Sequence, residues 1–250
     1  MRPVSYLDPE RARVFGAFAE DYERWRPGYP SEAVDWLVPP QATRVVDAGA
    51  GTGKLTGLLL ARGLQVMAVE PDAGMLAVLA RVHPDARVHL SGADRLLVGD
   101  ASVDAVLVAQ AWHWFPHEQA LAEAARVLRP GGWLGLVSNG PAPGEPWQLE
   151  LARMNPDTAG CTFDDEDDDW EIPGVSPDGV ERRTFRWQEA ISAEGLRARL
   201  ATHSAYIMMA VEEREQRLDE AARVVVAEAA RRATATVPLG HTARCARVRL

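Results

Sequence analysis

The sequence predicts an α/β fold, a doubly wound and mostly parallel sheet of seven strands. Three observations carry this. Between Thr43 and Ser138, short β-branched runs alternate with stretches of helical period. A glycine loop, Asp47-Ala-Gly-Ala-Gly-Thr-Gly-Lys54, separates the first such run from the first such helix. Two further alternating runs follow after residue 180. Strands joined by helices of this length form right-handed βαβ units, whose parallel sheet is buried on both faces. Such folds bind ligands at the carboxyl ends of their strands, where the strand order reverses.

The elements follow in order. Arg11–Trp25 reads as a helix and Arg26-Pro-Gly-Tyr-Pro30 as an ordered turn. Arg44–Asp47 is a buried strand ending in the glycine loop, and Lys54–Arg62 a helix closed by Gly63. Gln65–Glu70 is the second strand, with a helix from Asp72 to Arg81; Arg87–Leu90 is the third. Val103–Ala109 is the fourth, and His117–Leu128 a helix stopped by Pro130-Gly131-Gly132, before a fifth strand at Trp133–Val137. Asn139–Asp178, rich in Pro, Gly and Asp, reads as irregular. Glu181–Trp187 and Thr242–Arg249 read as strands, and Ser192–Ala201 and Val211–Arg232 as helices. With no repeat and no clean linker, 1–250 is expected to be one domain: N-terminal helices over 1–40, a core over 41–138, an insertion over 139–180, and completing strands and helices over 181–250.

Composition narrows the function. At 250 residues, with 47% hydrophobic and 25% charged side chains, the chain is globular in composition. A net charge of −9 disfavours wrapping nucleic acid or lying on an anionic membrane. Removing the six acids of Asp164–Asp169 leaves −3, so most of the excess is local. That run lacks the alternating ligands and central glycine of a calcium loop and reads as a solvated segment. Cys161 and Cys245 cannot make a disulfide framework or a zinc site, and the six histidines show no metal-ligand spacing. No signal peptide or membrane-length apolar run is visible, so the expected compartment is the cytoplasm.

The glycine loop suits a nucleoside-containing cofactor, because glycines allow positive φ and close backbone approach. A phosphate-binding P-loop would need Gly at 48 and Ser or Thr at 55, where the chain has Ala48 and Leu55. Lys54, the chain's single lysine, therefore imitates that loop without its hydroxyl partner. A dinucleotide loop needs a small residue where Lys54 stands. Glu70, ending the second strand, can accept from both ribose hydroxyls of a nucleoside, a device shared by nicotinamide and S-adenosylmethionine sites.

Four segments in order distinguish these readings. VVDAGAGTGKLT, VEPDAGML, GADRLL and ARVLRPGGWLGLV together resemble the motifs of class I S-adenosylmethionine-dependent methyltransferases, over roughly residues 43–138. YERWRPGYP (Tyr22–Pro30), AQAWHWF (Ala109–Phe115) and the C-terminal FRWQEAIS and HTARCARVRL resemble a narrower, type-11-like branch that includes relatives of trans-aconitate methyltransferase. The chain departs from that branch in carrying Asp94 for the usual Glu and LLVGD (Leu96–Asp100) for a proline-rich stretch.

The resemblance implies a Rossmann-like methyltransferase fold and S-adenosylmethionine as cofactor. It sets Gly49, Gly51 and Gly53 against the methionine and ribose, with Asp47 orienting the amino group and Glu70 holding the ribose. Met75 would pack on the adenine, Ala93 and Asp94 contact its edge, and Gln110 face the sulfonium. Tyr22, Arg26 and Tyr29 would belong to a lid, with Arg26 on the cofactor carboxylate and Tyr29 also facing the acceptor. Plainer roles stand beside these: Asp47 tying its own loop, Met75 as helix core, Gln110 satisfying a loop, and Tyr22, Trp25 and Tyr29 stapling a terminal helix.

Trp112-His113-Trp114-Phe115 follows the fourth strand, where an acceptor approaches. Three large aromatics and a histidine cannot all be core in so short a loop, so Trp112, His113 and Trp114 are expected to line the acceptor pocket. His113 is the candidate general base, with a purely structural hydrogen bond as its alternative. No metal is expected, because in-line placement supplies most of what methyl transfer needs. The expected function is methylation of a small aromatic or carboxylated acceptor, with no nucleic-acid or membrane partner. A macromolecule methyltransferase and a cofactor-binding regulator without turnover are the alternatives, and the C-terminal half offers surface for a homodimer.

Overall fold

The computed structural model describes residues 14–142, 144–156 and 172–250. The acidic run Asp164–Asp169 and Cys161 lie outside them. A seven-stranded sheet organises the chain, in the order β3-β2-β1-β4-β5-β7-β6. Its strands are β1 (Arg44–Ala48), β2 (Gln65–Glu70), β3 (Arg87–Leu90), β4 (Val103–Ala109), β5 (Leu128–Pro141), β6 (Glu181–Ile191) and β7 (Val237–Arg249). The first five run parallel, and β7 lies antiparallel between β5 and β6.

Burial explains this order. β1 and β4 are apolar almost without interruption and occupy the centre, where both faces are covered. Val45 and Val46, pointing to opposite faces, enter different core clusters. β6 alternates exposed and half-buried residues and forms an edge. One face carries α2 (Ser31–Leu37) and α3 (Lys54–Leu60), with Val34, Leu37, Leu55 and Leu59 against Val45 and Leu107, while the preceding α1 (Ala19–Trp25) packs through Ala19 and Tyr22 on Met75 and Val78. The other is covered by α5 (His117–Val127), whose Ala120, Ala124 and Val127 meet Val106, Leu134 and Leu136. α4 (Ala73–Val82) begins where Asp72 accepts from the amides of Gly74 and Met75.

Two expectations change. The Pro130-Gly131-Gly132 turn, expected only to stop a helix, lies inside β5. Val103 pairs with Leu128 but Ala105 with Trp133, and the intervening residues bulge out with Gly131 at φ +77°. The stretch 139–180, expected to be irregular, contains α6 (Pro146–Met154). Proline at the helix start and an apolar stripe of Trp147, Leu151 and Met154 account for it. α6 packs with α7 (Ala193–Ala201), α8 (Ser204–Ile207) and α9 (Val211–Arg232) in a third cluster around Tyr206, Leu218 and Val225. Among the described residues, no helix is long and apolar enough to cross a membrane.

Candidate cofactor and acceptor cleft

The strand order reverses between β1 and β4, and the cleft lies at their carboxyl ends. It is lined by Tyr22, Arg26, Pro27 and Tyr29 from the N-terminal segment and by Gly49, Ala50, Gly51, Lys54 and Leu55 from the loop and α3. Ala109, Gln110 and Asn139 close it from the ends of β4 and β5. A larger hollow between α6 and α9, lined by Trp147, Met154 and Arg223 among others, is wide open and touches no strand end.

The loop is shaped by three left-handed glycines, Gly49 at φ +68°, Gly51 at +58° and Gly53 at +97°. The amides of Gly49 and Ala50 donate to the Val69 carbonyl at 2.8 and 3.1 Å, pinning the loop to β2. Glu70 then bridges two turns: Oε2 accepts from the Gly51 amide and Oε1 from the Asp72 amide, both at 2.9 Å. Burial pushes its pKa up to about 7, against the pull of these two amides and with a further push from Asp72 and Asp47. Each oxygen keeps a lone pair for a hydroxyl donor. No Cβ obstructs the approach at Gly51, where the nearest atom to such a carbon would be Met75 Cε at 3.8 Å. Met75 packs against α1 with Ala19, Val78 and Tyr22.

Asp47 sits under the loop rather than on the cleft wall. It is fully buried, and Oδ2 accepts from the Thr56 hydroxyl at 2.6 Å, tying β1 to α3 rather than to the loop amides. Burial raises its pKa to about 6 despite that bond, and Oδ1 is buried without a partner. Ala93 is buried, and Asp94 is exposed, with its carboxylate folded back over Gly92. Both lie on the turn after β3, outside the cleft wall.

Gln110 lines the cleft in a left-handed conformation, φ +57°, unusual for a residue with a Cβ. Its amide is committed to β5, accepting from Ser138 Oγ at 2.9 Å and donating to the Asn139 carbonyl at 3.0 Å. Arg26 lies over the Tyr22 ring, and its Nε and Nη2 donate to Thr202 Oγ1 and the Thr202 carbonyl at 2.8 and 3.0 Å. Burial, with Tyr22 and Asp47 nearby, pushes the Tyr29 pKa well above the usual tyrosine value, so its hydroxyl remains a donor.

The aromatic run expected at the acceptor pocket lies apart from this cleft. None of Trp112, His113, Trp114 or Phe115 lines the cleft. Trp112 turns into the core, stacked on His117 at 5.0 Å and edge-on to Phe115 at 5.9 Å. Phe115 fills the space left by the missing Cβ of Gly49. Trp114 is half-buried against the same core, and His113 is exposed beside it. A short 3-10 turn thus splits the four residues between core and solvent.

Asn139, which lines the cleft, leads outward to a set of groups that the sequence did not single out and that stand behind the wall. Asn139 donates to the Gly28 carbonyl at 2.8 Å and accepts from Trp187 Nε1 at 3.3 Å. Trp187 stacks on His241 at 4.6 Å, and His241 Nε2 lies 2.6 Å from Glu189 Oε1. Burial alone would raise the Glu189 pKa, but hydrogen bonds from His241 and Arg199 outweigh it and hold the carboxylate ionised. Arg199 also donates to the Trp25 carbonyl at 2.9 Å, fixing the end of α1. Continuing the fifth strand through Ser138 would have flagged Asn139; nothing local flags His241 or Glu189.

The residues fit a nucleoside cofactor in kind: a glycine cradle, a buried carboxylate ending β2, and cations and hydroxyls at the mouth. The cavity, at about 50 Å³, has room for waters only, less than a nucleoside needs. Among the described residues, no three His, Cys, Asp or Glu side chains gather as a metal site.

Known proteins place this arrangement. Residues 46–136 match a family model described as a methyltransferase domain. An uncharacterized methyltransferase of Mycobacterium tuberculosis is 39% identical over 236 residues, covering 94% of this chain and 95% of the relative. Another from Schizosaccharomyces pombe is 30% identical over 222 residues, 85% of this chain and 88% of that one. Among solved structures, one from Anaeromyxobacter dehalogenans assigned as a type II methyltransferase shares the fold at a TM-score of 0.67 and 24% identity, over 90% of this chain and 97% of its own. The chain belongs to the class I S-adenosylmethionine-dependent methyltransferases.

Proposed function

We propose that the chain binds S-adenosylmethionine in the β1–β4 cleft and moves its methyl group to a small-molecule acceptor entering beside Tyr29, Gln110 and Asn139. The observation that carries this is Glu70: a buried carboxylate fixed to the Gly51 amide at the lip of a glycine cradle. When bound, the cofactor would supply an electrophilic methyl on a sulfonium, with the thioether as the leaving group for an acceptor's lone pair.

The protein's part is positioning. Glu70 takes the ribose hydroxyls, and Gly49 and Gly51 let the cofactor lie against the backbone. Met75 borders the adenine side, and Gln110, locked by Ser138 and Asn139, gives the reacting centre a rigid edge. Tyr22, Arg26 and Tyr29 close over the cofactor and exclude water. The acceptor's proton leaves to solvent or to the acceptor wall, where Glu189 holds the His241 ring. The acidic balance disfavours nucleic acid as the acceptor.

Incubation of the protein with methyl-labelled S-adenosylmethionine and a metabolite extract tests this. Label is expected in the low-mass fraction. Label in protein or RNA would instead indicate a macromolecular acceptor, and cofactor binding with no transfer to any fraction a regulatory protein.

A further inference from the structure

One group on the cleft wall has no task in the scheme above. Lys54, the only lysine of the chain, is the first residue of α3, directly after Gly53. Its ammonium donates to the Glu23 carbonyl on the lid helix and lies 3.3 Å from Glu23 Oε1. Both side chains are 22% exposed, so the pair is largely withdrawn from water. An ammonium carries three donors, and these contacts use two. The other carboxylate oxygen, Glu23 Oε2, is buried without a hydrogen-bond partner, a state that costs free energy until a donor fills it.

An unused donor and an unused acceptor therefore stand side by side where the lid meets the glycine loop. That pairing is complementary to a zwitterion, and an α-amino acid is one. Arg26, the other cation on the cleft wall, has already turned Nε and Nη2 to Thr202.

We infer that Lys54 and Glu23 read the amino-acid end of the cofactor, Lys54 Nζ meeting its carboxylate and Glu23 Oε2 its ammonium. This rests on the S-adenosylmethionine reading above. Glu23 belongs to α1 and Lys54 to α3, so the cofactor's amino-acid end joins the lid to the loop. Lid closure is thereby tied to an intact cofactor rather than to any nucleoside.

Two ligands separate this from a general role in folding. S-Adenosylhomocysteine carries the amino-acid end; 5′-methylthioadenosine keeps the nucleoside and thioether but lacks it. In calorimetry, Lys54→Met should weaken S-adenosylhomocysteine about tenfold or more while leaving 5′-methylthioadenosine within about twofold. Glu23→Gln should shift the same preference by less. Equal weakening of both ligands, or unchanged S-adenosylhomocysteine affinity, overturns the inference. Binding of neither ligand to the wild-type protein overturns the cofactor reading itself and this inference with it. A measurement without variants uses the single ε-amine: S-adenosylhomocysteine should slow labelling of Lys54 by trinitrobenzenesulfonate severalfold, and 5′-methylthioadenosine should not. Equal protection by the two contradicts the assignment.

Discussion

At the carboxyl ends of β1 and β2, the groups that shape the cleft come from two successive strand-to-helix turns, with Gly51 and Glu70 only 19 positions apart. Along β5, β6 and β7 groups come together from 48 and 52 positions apart, in the pairs Trp187–Asn139 and His241–Glu189, and beside them Arg199 of α7 reaches Trp25 of α1 across 174 positions. The first region is built by local backbone geometry, with parallel strands buried on both faces. The second is built by register between antiparallel strands, β7 and the outer strand β6, which is half in water. On the proposed function, cofactor recognition belongs to the local region and acceptor recognition to the assembled one, so that a short motif holds the cofactor while strand register shapes the acceptor side.

The comparison breaks most visibly at the glycines. A Cβ on Gly49 would come within 2.6 Å of Ala111 Cβ and 3.1 Å of Phe115, whereas one on Gly51 would meet only Met75 Cε at 3.8 Å. Both carry positive φ. Gly49→Ala should lower folding stability by about 2–4 kcal/mol, through overpacking added to strain, and Gly51→Ala by only about 1–2 kcal/mol, the strain alone. Denaturant unfolding checks the pair, and equal losses would remove the steric argument for Gly49.

A change in the assembled region should separate the two activities. Trp187→Ala removes the indole that joins Asn139 to His241. It should cut methyl transfer to low-mass acceptors about tenfold while S-adenosylhomocysteine affinity stays within about twofold. A parallel loss of cofactor affinity would mean that the two regions are not independent. The smallest effect belongs to His113, exposed and away from the cleft. His113→Ala should change stability by less than about 0.5 kcal/mol and leave S-adenosylhomocysteine binding unaltered, measured by denaturation and calorimetry.

The same division decides how much the sequence reveals. Gln65–Glu70, Arg87–Leu90, Val103–Ala109 and Val211–Arg232 can be read to the residue, because their burial pattern or helical period is set locally. Gly49, Gly51, Glu70 and Met75 are legible for the same reason, and the structure gathers them around one loop. Tyr22, Arg26, Tyr29 and Gln110 do reach the cleft, but the hydrogen bonds that engage Arg26 and Gln110 come from Thr202 and β5, which no local pattern announces. Trp112 misleads because aromatic content after a strand suits a pocket and a core equally well. Burial is decided by Ala111 and Phe115 packing under Gly49, and spacing does not encode that contact. Asn139 and His241 are invisible for the opposite reason: they matter only through strand register.

Glu70 carries the central claim, and its ionisation gives the most direct test. With a pKa near 7, it is mostly protonated at pH 6 and mostly ionised at pH 8. Ribose hydroxyls donate to the ionised form, so binding favours deprotonation. The free protein moves from about one-tenth to about nine-tenths ionised across that range, which should tighten binding about tenfold. Calorimetry of S-adenosylhomocysteine at pH 6, 7 and 8 should show this rise in the wild-type protein and a flat, weaker profile in Glu70→Gln. An affinity independent of pH in the wild type, or the same rise in the variant, would contradict the placement of the ribose on Glu70.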